Sequence, residues 1–310
     1  YIEVRQHWTA ERVIEYFRKV GRKENIVNYV YVVDNVGRLV GVVSLKELLL
    51  SHPKTPISEI MRTNVIAVPA DADQEEAARL MSQYDLMVLP VVDNRGRLVG
   101  VITADDIMDV IEEEDTEDIQ RLGGSSPLDL PYLHSSSTTL FSKRIGWLVF
   151  LFVVQAVTSN ILKHFESVLS SVVALSFFIP LFTDTGGNSG SQASSLIIRS
   201  LALGEVTTKD ATRILLKELQ VSVMLGAAMG VTGYFFAWAI AGSVQIALAV
   251  AITLFVVLIV SSTLGAILPI IGSKLGVDPA VFSAPFITTV VDIVALVLYF
   301  NIAVAILKIR

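Results

Sequence analysis

The 310-residue sequence contains no cysteine and only four histidines. That excludes a disulfide framework, thiolate metal sites and a cysteine nucleophile, and leaves metal chemistry mainly to oxygen ligands. Charge is scarce too. Charged residues make up 17% of the chain, against about 25% in soluble proteins. The net charge of −6 offers no basic face for nucleic acid. Neither a nucleophile–base pair nor a phosphate-cradling loop is evident, so an enzyme is not expected. No signal peptide is visible. The opening run 1–6 reads as a strand already under way and suggests a segment upstream.

Apolar residues are abundant, at 53%, and unevenly placed. The first 140 or so residues have the pattern of a soluble domain, and the rest is a series of long apolar runs. The expected fold is an α/β tandem pair followed by an all-α, polytopic membrane domain. Expected boundaries are 1–61 and 62–120 for the two soluble modules, 121–143 for a linker and 144–310 for the membrane part.

The soluble half carries an internal repeat. VVDNVGRLVGVVS at 32–44 returns without a gap as VVDNRGRLVGVIT at 91–103. Each copy is two apolar β-runs around an Asp-Asn-x-Gly turn, a hairpin signal. Helical patterns precede the hairpins at 10–19 and 74–83, and short helices follow at 45–50 and 104–113. An extended strand at 65–68 leads the second copy. The repeat resembles the CBS module, which normally occurs in pairs. The resemblance implies a nucleotide contact through a Ser/Thr and an acidic residue, here Ser44 with Glu47 and Thr103 with Asp106. The residues themselves equally allow Ser44 and Thr103 to be helix caps.

An acidic run, 105–118, follows the second copy, with Asp106, Asp109 and Glu113 on one side of a helix. It is read either as a solvated helix end or as a charge-sensitive link to the membrane part. A Gly-Gly-Ser-Ser-Pro break at 123–127 comes next. A short linking helix is expected over 132–141.

Five spans are expected: 145–162, 168–203, 214–241, 244–271 and 280–307. Lys143, Arg144, Arg199, Lys209, Arg213, Lys217 and Lys274 fall on one side of this topology. Lys163, Lys308 and Arg310 fall on the other. The bias places the N-terminal modules inside and the C-terminus outside. The second span contains Pro180, Asp184, Gly186, Gly187, Asn188, Gly190 and Gln192. Proline and glycines are expected to break this helix and free carbonyls toward a wet cavity; the plainer alternative is close helix packing. Asp292 lies in the last span amid Thr288, Thr289 and apolar neighbours, about ten residues from either water face. An intramembrane carboxylate costs at least about 2.5 kcal/mol and is functional by default; the plainer alternative is a buried Asp hydrogen-bonded to Thr or Asn. Asp278, before Pro279, is either a helix N-cap or a cation site at a pore mouth.

At these residues the chain resembles the MgtE family of magnesium channels. The motifs are Pro180 with Gly186-Gly187-Asn188, Gly190 and Gln192, and Asp278-Pro279-Ala280 with Ser283, Pro285, Thr288-Thr289 and Asp292. The resemblance implies a homodimer in the plasma membrane, with a Mg²⁺ pore at its two-fold interface. Asp292 would be the pore ligand and Asp278 the ligand at the cytoplasmic mouth. Asp184, Gly186, Gly187, Asn188, Gln192, Thr288 and Thr289 would line the path. It further implies regulatory Mg²⁺ at Asp73, Glu75, Asp85, Asp106, Asp109, Glu114, Glu117 and Asp118, and allows ATP near Tyr29, Ser44 and Glu47. The family's acidic helical domain ahead of the CBS pair is not in this sequence. The competing expectation is a secondary transporter coupled to Na⁺ or H⁺.

Overall fold

The computed structural model describes residues 1–20 and 28–308; Arg310, counted above for topology, lies outside them. The chain divides into two compact units, Tyr1–Asp115 and Thr116–Arg310.

The first unit is the sequence repeat made solid. Its first half runs β1 (Glu3–Arg5), α1 (Ala10–Val20), β2 (Tyr29–Val33), β3 (Leu39–Ser44), α2 (Leu45–Leu50) and α3 (Ile57–Ile60). The second half repeats this order, without a counterpart of α3, as β4 (Val68–Pro69), α4 (Gln74–Gln83), β5 (Val88–Val92), β6 (Leu98–Thr103) and α5 (Ala104–Leu122). In each sheet the first strand is parallel to the second and the hairpin is antiparallel, with a bulge at the equivalent Val32/Val33 and Val91/Val92.

The turns explain themselves chemically. Asp34 Oδ1 accepts from the Val36 and Arg38 amides, and Asp93 Oδ1 from those of Arg95 and Arg97, all at 2.9 Å. Gly37 and Gly96 supply positive φ, +85° and +74°. The Arg97 amide and guanidinium hold the Asp93 carboxyl down to about 2. The two hairpin tips join. The Leu39 amide donates to the Gly96 carbonyl at 3.0 Å, and that of Leu98 to the Gly37 carbonyl at 3.1 Å. Tyr31, Val33, Val88 and Leu98 form a core shared by both repeats.

The second unit is helical. A 3₁₀ turn, Tyr132–His134, precedes α6 (Ser137–His164), α7 (Glu166–Ser171) and a second 3₁₀ turn, Val173–Phe178. There follow α8 (Ile179–Ala202), α9 (Ala211–Ala241), α10 (Val244–Lys274) and α11 (Ala284–Leu307). Among the described residues four helices are long and apolar enough to cross a membrane: α6, α9, α10 and α11. The expected fifth, α8, is too polar to meet that description on composition.

Three expectations are corrected. The linking helix over 132–141 does not form as one element. Ser136 accepts from the Thr139 amide at 3.1 Å and starts α6 afresh, so Phe141 belongs to α6. The last helix begins at Ala284, after a 3₁₀ turn at Pro279–Val281. The second span is indeed interrupted, but earlier than expected, between α7 and α8. Pro180 sits in the first turn of α8, where its missing N–H costs nothing. The helix then runs unbroken through Gly186, Gly187 and Gly190.

Those glycines let neighbours approach. A Cβ on Gly187 would lie 2.7 Å from Thr288 Cγ2, and one on Gly186 2.8 Å from Val257 Cγ1. One on Gly265 would lie 2.1 Å from the Gly190 carbonyl oxygen. The α8–α10 crossing is closed by a buried Ser189–Ser262 hydroxyl contact of 2.7 Å. The core of the unit gathers Phe178, Phe182, Leu254, Tyr299 and Phe300, and the Tyr299 hydroxyl donates to the Leu175 carbonyl at 2.8 Å.

Candidate functional site

Two contacts set the register of α8 against α11. Gly187 meets Thr288 and Gly186 meets Val291. Further along, the Ser194 hydroxyl donates to the Phe282 carbonyl at 3.3 Å. Rising numbers on α8 meet falling numbers on α11, so the helices are antiparallel and Asp184 stands level with Asp292. The two carboxylates are near enough for their charges to act on one another.

Asp292 is half-buried, and its Oδ1 is enclosed without a hydrogen-bond partner. A buried acceptor left in that condition is costly, and it needs a ligand or water to explain it. Asp184, Asn188 and Gln192 fall at successive fourth positions and are all exposed, forming one polar stripe along α8. The Asn188 amide donates to Asp184 Oδ2 at 3.3 Å. The opposite face of α8, with Gly186, Gly187 and Gly190, is buried. The expected lining set therefore divides. Asp184, Asn188 and Gln192 are presented outward, while the glycines serve packing and free no carbonyl. Thr288 and Thr289 donate their hydroxyls to the Ala284 and Pro285 carbonyls of their own helix, at 2.9 and 2.8 Å.

Asp278 has two partners. Its Oδ1 accepts from the Ala280 amide at 2.8 Å, which caps the 3₁₀ turn, and its Oδ2 is ion-paired with Arg121. Arg121 also pairs with Glu117, one turn back on α5. Beyond α5, Gly124 takes φ +73° and lies against Trp147 and Pro285. The segment just past α5 thus meets the third turn of α6 and the first turn of α11. The sequence reading missed Arg121, whose signal was a lone cation three residues past the acidic run, in the last turn of α5. It also missed Gln155, a lone amide in the apolar run of α6.

The remaining acidic residues are dispersed. Asp73 caps α4 by accepting from the Glu75 amide at 3.0 Å, and Gln74 donates to Glu114, bringing the start of α4 to α5. Asp85 sits at φ +51° just past α4. Asp106 accepts from the Thr103 hydroxyl at 2.6 Å. Asp109 is exposed and Asp118 is half-buried. Among the described residues no three His, Asp or Glu side chains converge to hold a metal.

Ser44 and Glu47 form a capping box on α2. Ser44 Oγ accepts from the Glu47 amide, and the Glu47 carboxylate accepts from the Ser44 amide, both at 3.1 Å. The Ser44 hydroxyl and then the Arg62 guanidinium hold the Glu47 carboxyl below its ordinary range. Beside them an open cleft of about 620 Å³ is lined by Asn28, Tyr29, Ser44, Lys46 and leucines of α2.

A repeated α/β module ahead of several membrane-length helices, one with a mid-helix carboxylate, has the make-up of a polytopic membrane protein with an appended α/β domain. Comparison with known proteins agrees. Residues 179–302 match the MgtE family model, described as divalent cation transporter, and residues 1–52 and 57–113 match the CBS domain. The chain is 42% identical over 305 residues to the magnesium transporter MgtE of Thermus thermophilus, covering 98% of this chain and 67% of that one. Against the magnesium transporter MgtE of Bacillus subtilis it is 35% identical with the same coverage. A crystal structure of the cytosolic domain of the Mg²⁺ channel MgtE in complex with ATP is 49% identical, covering 36% of this chain and 44% of that one, with a TM-score of 0.35. The chain belongs to the MgtE family, a family of transporters rather than enzymes, and spans about two thirds of the length of those first two relatives.

Proposed function

We propose that this chain carries Mg²⁺ across the plasma membrane through a pore that two copies complete. The observation that carries the proposal is Asp292, with its enclosed, unpartnered Oδ1, level with the outward stripe Asp184, Asn188 and Gln192. Such a stripe is poorly suited to lipid, since intramembrane polar side chains face bundle interiors or water. A second copy facing it encloses an aqueous path. Mg²⁺ gives up its water reluctantly and binds through one or two carboxylates. Paired Asp292 residues with flanking amides suit an ion that keeps most of its hydration shell. With α8 continuous through Gly186–Gly190, the broken helix on which coupled exchange with Na⁺ or H⁺ rested is gone from the polar segment, and a channel is the better reading.

In this proposal α8 is the fifth crossing. Its 24 residues give about 36 Å of helix, enough for a hydrocarbon core of about 30 Å. The CBS pair is cytoplasmic and gates the pore. High internal Mg²⁺ is held at Asp73, Glu75, Asp85, Asp106, Asp109, Glu114, Glu117 and Asp118, some of these sites completed by a second copy or by further chain. The signal passes along α5 to Arg121 and Asp278. ATP occupies the cleft beside Tyr29 and Ser44, with Glu47 as the acidic residue.

Uptake of Mg²⁺ by proteoliposomes tests the conduction step. Asp292→Ala is expected to abolish uptake while leaving the protein folded and dimeric. Uptake at the unsubstituted rate would remove the pathway from this residue.

A further inference from the structure

The Asp292 carboxylate has a neighbour that neither family motif nor sequence pattern singles out. Helix α6 is apolar from Ile145 to Val157 except for Gly146 and Gln155. An amide at that depth is costly against hydrocarbon unless it has a partner. Two ring contacts fix where it lies. In the third turn of α6, Trp147 meets Phe286, in the first turn of α11, at 6.2 Å between ring centroids. Near their far ends, Phe165, which caps α6, stacks on Phe300 at 4.8 Å. Numbers rise together, so α6 and α11 are parallel. Gln155 and Asp292 each fall a little under half way between these contacts, and the two side chains are thereby level. The same level on α11 is the one that Asp184 reaches from α8. Gln155 is close enough to the Asp292 carboxylate to interact with it, while Oδ1 remains without a partner.

We propose that Gln155 is a positioning residue for Asp292: its amide N–H donates to one carboxylate oxygen and so aims the other at the ion path. The inference rests on the reading of Asp292 as the ion ligand. A carboxylate on a mobile side chain can turn through several rotamers. One that is tethered at one oxygen presents the other in a single direction, and a hydrated ion is recognised by directional contacts to its water. Gln155 supplies that tether without adding charge. It touches the ligand and not the ion, and its loss weakens ion capture and discrimination more than it weakens the membrane fold.

The test uses the full chain in proteoliposomes, with Mg²⁺ and Ca²⁺ influx measured over a range of concentrations. Gln155→Leu keeps the size and removes the donor. The expected result is an apparent KM for Mg²⁺ raised about tenfold or more, as for other residues that orient metal ligands, and a reduced preference for Mg²⁺ over Ca²⁺. Gln155→Asn, which keeps the amide on a shorter stem, is expected to recover part of both. A purely structural role would lower the amount of folded dimer and the maximal rate and leave KM and ion preference alone. Gln155→Leu with unaltered KM and preference overturns the proposal. Unaltered uptake by Asp292→Ala, by contrast, overturns the pathway reading beneath it, so the two failures are distinguishable.

Discussion

At the scale of single residues, the same chemistry serves folding and function at adjacent positions. Ser44 and Glu47 illustrate it. Their reciprocal bonds cap α2, and they also border the cleft assigned to a nucleotide. Removing the cap with Ser44→Ala is expected to cost about 1 kcal/mol of stability, read as a lowered denaturation midpoint of the protein without nucleotide. The linked pH dependence follows from the Glu47 carboxyl being held below its ordinary range, first by Ser44 and then by Arg62. A carboxyl lowered in the folded state stabilises above its unfolded pKa and loses that contribution as pH falls through the folded one. Acidification below the ordinary carboxylate range is therefore expected to destabilise the protein, and Glu47→Gln to flatten part of that dependence. An equal acid sensitivity in Glu47→Gln would assign it to other carboxylates. Asp278 has a similar double duty. Its one oxygen caps a turn, as one of the two sequence alternatives expects, and its other holds Arg121, a partner that neither alternative named.

At the scale of elements, the hairpins and their following helices were legible because local chemistry specifies them. The Asp-Asn-x-Gly turns, the alternation of apolar residues and the S-x-x-E box act within a few residues. The second span was misread for the converse reason. Three glycines and a proline in one stretch weaken a helix by propensity, yet here proline occupies the first turn and the glycines face other helices. What decides their conformation is the partner helix, which no local pattern displays. Gln155 and Arg121 escaped notice for the same reason, as their importance lies in what α11 and Asp278 bring to them. The packing claim has a direct check. A Cβ at Gly265 would collide with backbone, the Gly190 carbonyl oxygen at 2.1 Å, and no rotamer change relieves that. Gly265→Ala is expected to destabilise the membrane unit by roughly 1–3 kcal/mol through overpacking, measured as a lower melting temperature in detergent. Gly100→Ala, with nothing within 4 Å of its added Cβ, serves as the tolerated control.

At the scale of the whole molecule, charge and length together bear on the number of crossings. Helices α6, α9, α10 and α11 are apolar enough on their own, whereas α8 presents Asp184, Asn188 and Gln192 outward. If α8 did not cross, Arg199, Lys209, Arg213 and Lys217 would lie on the face opposite Lys143 and Arg144. The positive-inside rule disfavours that arrangement. If α8 crosses, all six basic residues share one face, and the first unit and the C-terminal end lie on opposite sides. The absence of cysteine makes this simple to measure, because any introduced thiol is the only one. Val36→Cys at the first hairpin, Glu205→Cys between α8 and α9, and Lys308→Cys after α11 would each be treated in intact cells with a membrane-impermeant maleimide. Labelling is expected at Lys308→Cys without permeabilisation, and at the other two only after it. Were α8 to remain on one side, the last two results would exchange: Glu205→Cys would label in intact cells and Lys308→Cys would not.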